Sequence, residues 1–202
     1  MDEESDTTVR VATRSDAAAV REIYAPFCES SAVTFEETPP SVDEMGARIE
    51  STLETYPWLV AARDGTVLGY AYAGKLRKRQ AYQWVVELSV YVAEAARGNG
   101  VGQALYESLL AILERQGVRD AYAVTTLPNP ATVRFHERLD FERLVEFPAM
   151  GYTDGDWHDV AWWRRRLGEK TDEPEPLTPF PDVRADPEFE SLLQVGEAVA
   201  ER

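Results

Sequence analysis

Six consecutive residues, Arg97-Gly98-Asn99-Gly100-Val101-Gly102, carry the clearest chemical potential in this chain. Glycines at alternate positions leave backbone N–H groups uncovered, an arginine stands in front, and a helix-like run from Val101 to Gln116 follows. Together they suit a phosphate held at a helix N-terminus. The spacing argues against two common phosphate binders. A Walker loop ends in Gly-Lys-Ser/Thr, so that a lysine reaches the terminal phosphates and a hydroxyl holds magnesium, whereas Gly102 is followed by Gln103-Ala104. A dinucleotide fingerprint reads G-x-G-x-x-G near the start of a βαβ unit, while here the pattern is G-x-G-x-G and falls halfway along the chain. A glycine-rich turn without a ligand is the alternative for the hexapeptide taken alone.

Just upstream, Glu87 interrupts the apolar run Val85-Val86-Glu87-Leu88-Ser89-Val90-Tyr91-Val92. Alternation with a period of two puts Val86, Leu88, Val90 and Val92 on one face of a strand and Glu87, Ser89 and Tyr91 on the other. A carboxylate in such a strand is costly unless it faces a polar cleft or has a partner. Glu87 therefore reads as a general base, or else as an acid paired with a structural arginine. His136, in a helix-like segment, is the second base candidate, and His158 reads as structural. A short basic run, Lys75-Leu76-Arg77-Lys78-Arg79, holds two of the chain's three lysines, the other being Lys170. It reads either as a solvated loop or as a local anion site, in which Arg77 and Arg79 could grip a carboxylate bidentately.

Those residues need a scaffold, and the pattern supplies one. Val9 to Ala12 predicts a strand; Thr13-Arg14-Ser15-Asp16 caps a helix carrying Ala19, Val20, Ile23, Tyr24 and Phe27, which Pro26 is expected to kink or end. Ser41 and Glu44 form a capping box for a second helix reaching about Tyr56. Trp58 to Ala62 and Val67 to Ala73, around Asp64-Gly65, predict a hairpin. A long strand over Tyr82 to Val92 comes next, then the glycine loop and its helix, stopped by Gly117. Asp120 to Thr126 is a strand, Leu127-Pro128-Asn129-Pro130 leads into the helix with Phe135 and His136, and strands over Glu142 to Met150 and Trp157 to Arg166 flank Asp154-Gly155-Asp156. This order predicts an α/β fold with a mixed, mostly antiparallel central sheet and helices on both faces.

At 202 residues with a net charge of −15, the chain is expected to form one domain over 9–168, after a disordered acidic lead at 1–8. An acidic, proline-rich linker and tail at 169–202 follows, whose end around Phe189, Leu192, Leu193, Val195 and Val199 could be an amphipathic helix, docked or disordered. The acidity argues against a nucleic-acid partner, no apolar run is long enough for a membrane span, and the acidic N-terminus lacks the secretory pattern. With Cys28 as the single cysteine, a cytoplasmic location is expected. An acidic, lysine-poor surface also suits high salt; activity that rises, and does not collapse, above about 1 M salt, where the Debye length is roughly 3 Å, is the corresponding test.

The sequence Arg/Gln-x-x-Gly-x-Gly/Ala after a hydrophobic strand resembles the pyrophosphate loop of the GNAT superfamily of acetyl-CoA-dependent N-acetyltransferases. Ala81-Tyr82-Gln83-Trp84-Val85-Val86-Glu87 with Ser89-Val90-Tyr91-Val92, then Leu127-Pro128-Asn129, His136-Glu137, Gly151-Tyr152 and Gly155-Asp156-Trp157-His158-Asp159-Val160, resemble its phosphinothricin N-acetyltransferase branch. The glycine loop alone identifies only the superfamily; the Tyr-x-Trp-x-x-Glu strand and the Gly-x-Trp-His-Asp-Val segment are far more specific. Asp140 stands where a glycine is common, and Lys75, Lys78 and Gln80 depart from the family pattern.

The resemblance implies a GNAT fold and a homodimer, with acetyl-CoA as cosubstrate and no metal. The acceptor is the α-amino group of a small acid: phosphinothricin, methionine sulfoximine, methionine sulfone or a natural amino acid. Backbone groups of Arg97, Gly98, Asn99, Gly100, Val101 and Gly102 take the pyrophosphate, Val90, Tyr91 and Val92 run beside the pantetheine arm, and Asn129 meets its other side. Glu87 and His136 are the catalytic candidates, and the N–H of Val90 or its neighbour meets the oxyanion. Arg77 and Arg79 bind the acceptor's carboxylate or phosphinate, with Tyr82 beside them and Phe35 and Tyr72 as apolar walls. Acetylation of another amine (an aminoglycoside, a polyamine or a protein N-terminus) and a non-catalytic acyl-CoA sensor are the alternatives. The basic run disfavours a polycationic acceptor, and the presence of both base candidates disfavours the sensor.

Overall fold

A computed structural model describes residues 7–200. Residues 1–6 of the expected acidic lead, and 201–202 of the tail, lie outside the described residues. Seven strands form one sheet: β1 (Thr8–Val11), β2 (Trp58–Arg63), β3 (Thr66–Lys75), β4 (Val85–Val92), β5 (Asp120–Leu127), β6 (Glu142–Thr153) and β7 (Asp156–Arg166). Their order is β1-β2-β3-β4-β5-β7-β6. Every neighbouring pair is antiparallel except β4 and β5, which are parallel and joined by the crossover helix α3 (Val101–Gln116). The remaining helices are α1 (Ala17–Ser30), α2 (Val42–Leu53), α4 (Pro130–Arg138), α5 (Phe180–Arg184) and α6 (Phe189–Ala200).

Alternation along the central strands sorts the core into two layers. Val86 and Leu88 of β4, with Ala71, Ala73, Ala121 and Ala123 from its neighbours, pack against Leu105, Leu109 and Ile112 of α3. On the other face Trp58, Val60 and Tyr70 pack against Val20 and Tyr24 of α1 and Met45 and Ile49 of α2. The expected capping box of α2 is present: Glu44 N–H donates to Ser41 Oγ at 3.2 Å and Ser41 N–H to Glu44 Oε2 at 2.7 Å.

The strands other than β4 differ from the sequence reading by one to three residues at one or both ends, and three further boundaries differ for identifiable reasons. Helix α1 runs four residues past Pro26, since Phe27 and Cys28 just beyond it are held by burial and by packing on Tyr91. Helix α2 ends at Leu53, three residues before Tyr56, whose N–H donates back to the Thr52 carbonyl at 2.8 Å. Strand β4 begins at Val85 instead of Tyr82, because Gln80–Tyr82 turn into a single 3-10 turn. The tail docks. Helix α6 lies along α3, where Ser108 Oγ donates to the Leu193 carbonyl at 2.6 Å and accepts from Gly196 N–H at 3.2 Å. Gly196 is required by this approach, since a Cβ there would overlap the Ala104 carbonyl.

Candidate active site

The parallel pairing of β4 with β5 runs from Val85 opposite Asp120 to Leu88 opposite Ala123 and stops there. Both strands continue, β4 held by β3 as far as Val92 and β5 by β7 as far as Leu127. The strands diverge, and the facing edges of Ser89–Val92 and Val124–Leu127 are left without a strand partner. Backbone N–H and C=O groups at such an edge need another partner, and an extended amide-bearing ligand can supply it as an added strand would. A cleft of about 770 Å³ opens at this split, lined by Val90, Tyr91 and Val92 and by Asn129 across the gap.

At one end of the cleft stands the glycine loop. Gly98 and Gly100 have φ of +82° and +78°, left-handed conformations that only glycine adopts without strain. Gly100 is the N-cap of α3 and offers no side-chain hydrogen bond to its first turn, so the N–H groups of that turn are free to meet an anion. Arg97, Gly98, Gly100, Val101 and Gly102 line the cleft, whereas Asn99 does not. Asn99 is exposed at the crest of the turn between the two left-handed glycines. These features fit the diphosphate and pantetheine of a coenzyme A thioester.

Glu87 lines the cleft just before the strands part, on the face opposite α3. Burial pushes its pKa above the ordinary carboxylate range, and the charge of Arg77 works against that rise. Register places Tyr72 opposite Ser89 and Trp162 opposite Val124, so both aromatic rings share the Glu87 face. Arg77 stands over that face with its guanidinium carbon 5.8 Å from the centre of the Trp162 ring. Phe35 and Tyr72 line the cleft as well.

Arg77, Arg79 and Tyr82 are not among the residues that line the cleft. All three are exposed, Tyr82 to 43%, on the segment that leads into and makes the turn at 80–82 before β4. Asn129 is at the cleft, but its side chain is already engaged, since Oδ1 accepts from Thr132 N–H at 3.1 Å and caps α4. His136 reaches the cleft wall only at 2% exposure, stacked on Trp163 at 5.6 Å and edge-on to Phe141 at 5.3 Å. Burial lowers its pKa to about 4, against a smaller opposing effect of the Thr132 backbone. Such an imidazole is neutral at pH 7 and a weak base, so the environment separates the two candidates. In the turn after α4, Asp140 has φ +57°, a conformation that glycine favours.

Several cleft residues escaped the sequence reading. Tyr106 follows Gly102 by four positions on α3 and lines the cleft with it; the i, i+4 relation to a loop glycine was the available signal. Thr125 and Thr126 lie on the open half of β5, at the carboxyl end of a parallel strand, where α/β sheets receive ligands. Among the described residues, no group of three or more His, Cys, Asp or Glu is placed to hold a metal ion, and no helix is long and apolar enough to cross a membrane.

Comparison with known proteins agrees with this geometry. Residues 9–162 match the acetyltransferase (GNAT) domain family. A phosphinothricin N-acetyltransferase of Streptomyces viridochromogenes is 40% identical over 175 residues, covering 87% of this chain and 95% of the relative. An L-methionine sulfoximine/L-methionine sulfone acetyltransferase of Salmonella typhimurium is 32% identical, covering 80% of this chain and 95% of that one. Among solved structures, a phosphinothricin acetyltransferase from Sinorhizobium meliloti in complex with acetyl-CoA superposes with a TM-score of 0.80 at 37% identity, covering 88% of this chain and 97% of the other.

Proposed function

The chain belongs to the GNAT acetyltransferase family, an acetyl-CoA-dependent N-acetyltransferase by fold and kinship, and from that membership we propose how its cleft selects and activates an acceptor. The acceptor is the α-amino group of a small amino-acid-like acid, of the kind named in the relatives from Streptomyces and Salmonella. The observation that carries this reading is the position of Glu87, half-buried where β4 and β5 part, with the charge of Arg77 acting on it from over the Trp162 ring. Arg77 attracts the carboxylate or phosphinate of the acceptor, and Tyr72 and Phe35 enclose its side chain.

The acceptor enters as an ammonium, which has no lone pair to attack with. Glu87 removes that proton, directly or through one water, and its raised pKa brings it closer to the working pH. Acetyl-CoA supplies the acetyl group as a thioester. First-turn N–H groups of α3 and the glycine loop hold its diphosphate, and the open edge of Val90 to Val92 aligns its arm and offers an N–H to the developing oxyanion. His136 acts as a positioning residue, holding α4 and Asn129 against the cleft through its stack on Trp163. A thiol whose pKa is near 8.5 leaves without a dedicated acid.

The same reading includes a homodimer in the cytoplasm. Strand β6 is an edge strand of the sheet and exposes Leu144, Val145, Phe147 and Met150, an apolar row that suits a second copy. Cys28 is a free thiol, in keeping with a reducing compartment.

Thiol release from acetyl-CoA, measured with phosphinothricin, methionine sulfone and decarboxylated counterparts of amino acids, tests the acceptor class. Release is expected with the acids and at least about tenfold lower kcat/KM with the counterparts, the worth of one charge-assisted contact. Equal efficiency for both would overturn the assignment. Tight acetyl-CoA binding without release to any amine would favour the sensor.

A further inference from the structure

One missing side chain couples the β6–β7 hairpin to the segment between α1 and α2. A Cβ built on Gly151 would overlap three ring atoms of Phe35, all within 2.6 Å. The Phe35 ring is therefore seated directly against the bare backbone of β6, although Phe35 precedes Gly151 by more than a hundred residues.

The seat is itself braced. Phe147 pairs with Val160 and Gly151 with His158, so Pro148, Ala149 and Met150 on β6 stand against Asp159 alone on β7. The surplus residues bulge, and Ala149 takes φ +47°, a left-handed conformation that an L residue rarely adopts. Asp159 holds the bulge by accepting from Ala149 N–H at 2.8 Å.

The segment is also fastened from the other side. Glu36, next to Phe35, accepts from Arg48 Nη1 at 3.0 Å and Nη2 at 2.5 Å, and from Tyr24 Oη at 2.8 Å. Tyr24 Oη also lies 2.9 Å from Thr34 Oγ1. Thr34 and Glu36 are thus tied to α1 and α2 while the ring between them rests on β6. Tyr24, Thr34 and Phe35 all line the cleft, together with Tyr72 and Glu87.

We propose that Gly151 is a specificity-determining position of this enzyme: by seating the Phe35 ring it sets the room left for the acceptor's side chain, with Asp159 and Arg48 as positioning residues. The inference rests on reading that end of the cleft as the acceptor's. A methyl group at position 151 displaces the ring and changes which acids fit. It leaves the glycine loop and the edge of β4 untouched.

The test is a set of kcat and KM values for amino acids of graded side-chain length, with wild type, Gly151→Ala, Phe35→Ala and the double variant. For Gly151→Ala the ratio of kcat/KM between long and short acids should shift by about tenfold, the usual span for a change of one or two carbons in an apolar pocket. The shift should arise mainly in KM, and calorimetric acetyl-CoA affinity should stay within about twofold of wild type. In the Phe35→Ala background Gly151→Ala should add nothing. An unchanged ratio, or full additivity of the two effects, would overturn the proposal. Asp159→Ala, which removes the oxygen that accepts from Ala149 N–H, should shift the ratio in the same direction and by less; no shift would remove Asp159 from the role.

If wild type acetylates none of the acids, the acceptor assignment fails, yet the seat can still be read by thermal unfolding. Gly151→Ala should lower Tm in the Phe35 background and not in the Phe35→Ala background. Equal losses in both would rule the seat out.

Discussion

Glu87 and Arg77 form an electrostatic couple whose sign can be followed through a pH profile. Burial raises the Glu87 pKa and the Arg77 charge restrains the rise, so removing Arg77 lets it climb further. Since only ionised Glu87 accepts a proton, the acidic limb of kcat/KM should move to higher pH in Arg77→Ala, with KM for acidic acceptors raised about tenfold. A limb that stays in place would separate the two residues. His136 makes a stability prediction. Its folded pKa of about 4 lies below the ordinary 6.5, so between those values the unfolded chain binds the additional proton. The stability due to the neutral ring is complete above pH 6.5 and lost as pH falls towards 4, at up to about 1.4 kcal/mol per pH unit. His136→Phe should flatten that slope in denaturant titrations, and an unaltered slope would contradict the account. Much of this was legible: the period-two reading placed Glu87 opposite the Val86 and Leu88 face, as observed. What the sequence hid was the depth of His136, because the stack on Trp163 joins positions on different elements with no periodic relation.

At the scale of elements, the site exists because two parallel strands pair for four residues and then part. The glycine loop and α3 were readable from local spacing alone, as were the hairpin and the α2 cap. Where β4 and β5 separate was not, since it depends on which neighbours, β3 and β7, hold each strand beyond Leu88 and Ala123. The start of β4 was misplaced for a related reason: a 3-10 turn at 80–82 uses residues whose alternation with the following strand looks continuous. Arg79, expected at the acceptor site from the basic run at 75–79, and Tyr82, expected beside it, are exposed at that turn. Docking of the tail is also a tertiary fact, fixed by Gly196 over Ala104 and by the two hydrogen bonds of Ser108. Ser108 is fully buried. Ser108→Ala leaves the Leu193 carbonyl and Gly196 N–H without that hydroxyl and should cost about 1–3 kcal/mol, lowering Tm with acetyl-CoA affinity unchanged. A neutral result would show that α6 is not held at this point.

For the whole molecule, a net charge of −15 sets a background against which the basic run at 75–79 is local. Arg77 leans over the Glu87 face; on the proposed reading an anionic acceptor meets positive charge there while the rest of the surface repels it, and salt should weaken both effects. The exposed row on β6 is the other feature at this scale. The proposed homodimer is tested by sedimentation at micromolar concentration: wild type should sediment as a dimer and Val145→Glu, on the edge strand and away from the cleft lining, should shift it towards monomer; an unchanged dimer would place the interface elsewhere, and a monomeric wild type would overturn the proposal.

The central claim is that a carboxylate at the parting of β4 and β5 deprotonates the acceptor, and the pH dependence of kcat in wild type and Glu87→Gln addresses it most directly. The wild-type rate should rise through an apparent pKa above the ordinary carboxylate range. The variant should lose that limb and about 10²–10⁴-fold in kcat, with acetyl-CoA affinity by calorimetry intact. A Glu87→Gln enzyme that keeps both the wild-type rate and its acidic limb would contradict the account.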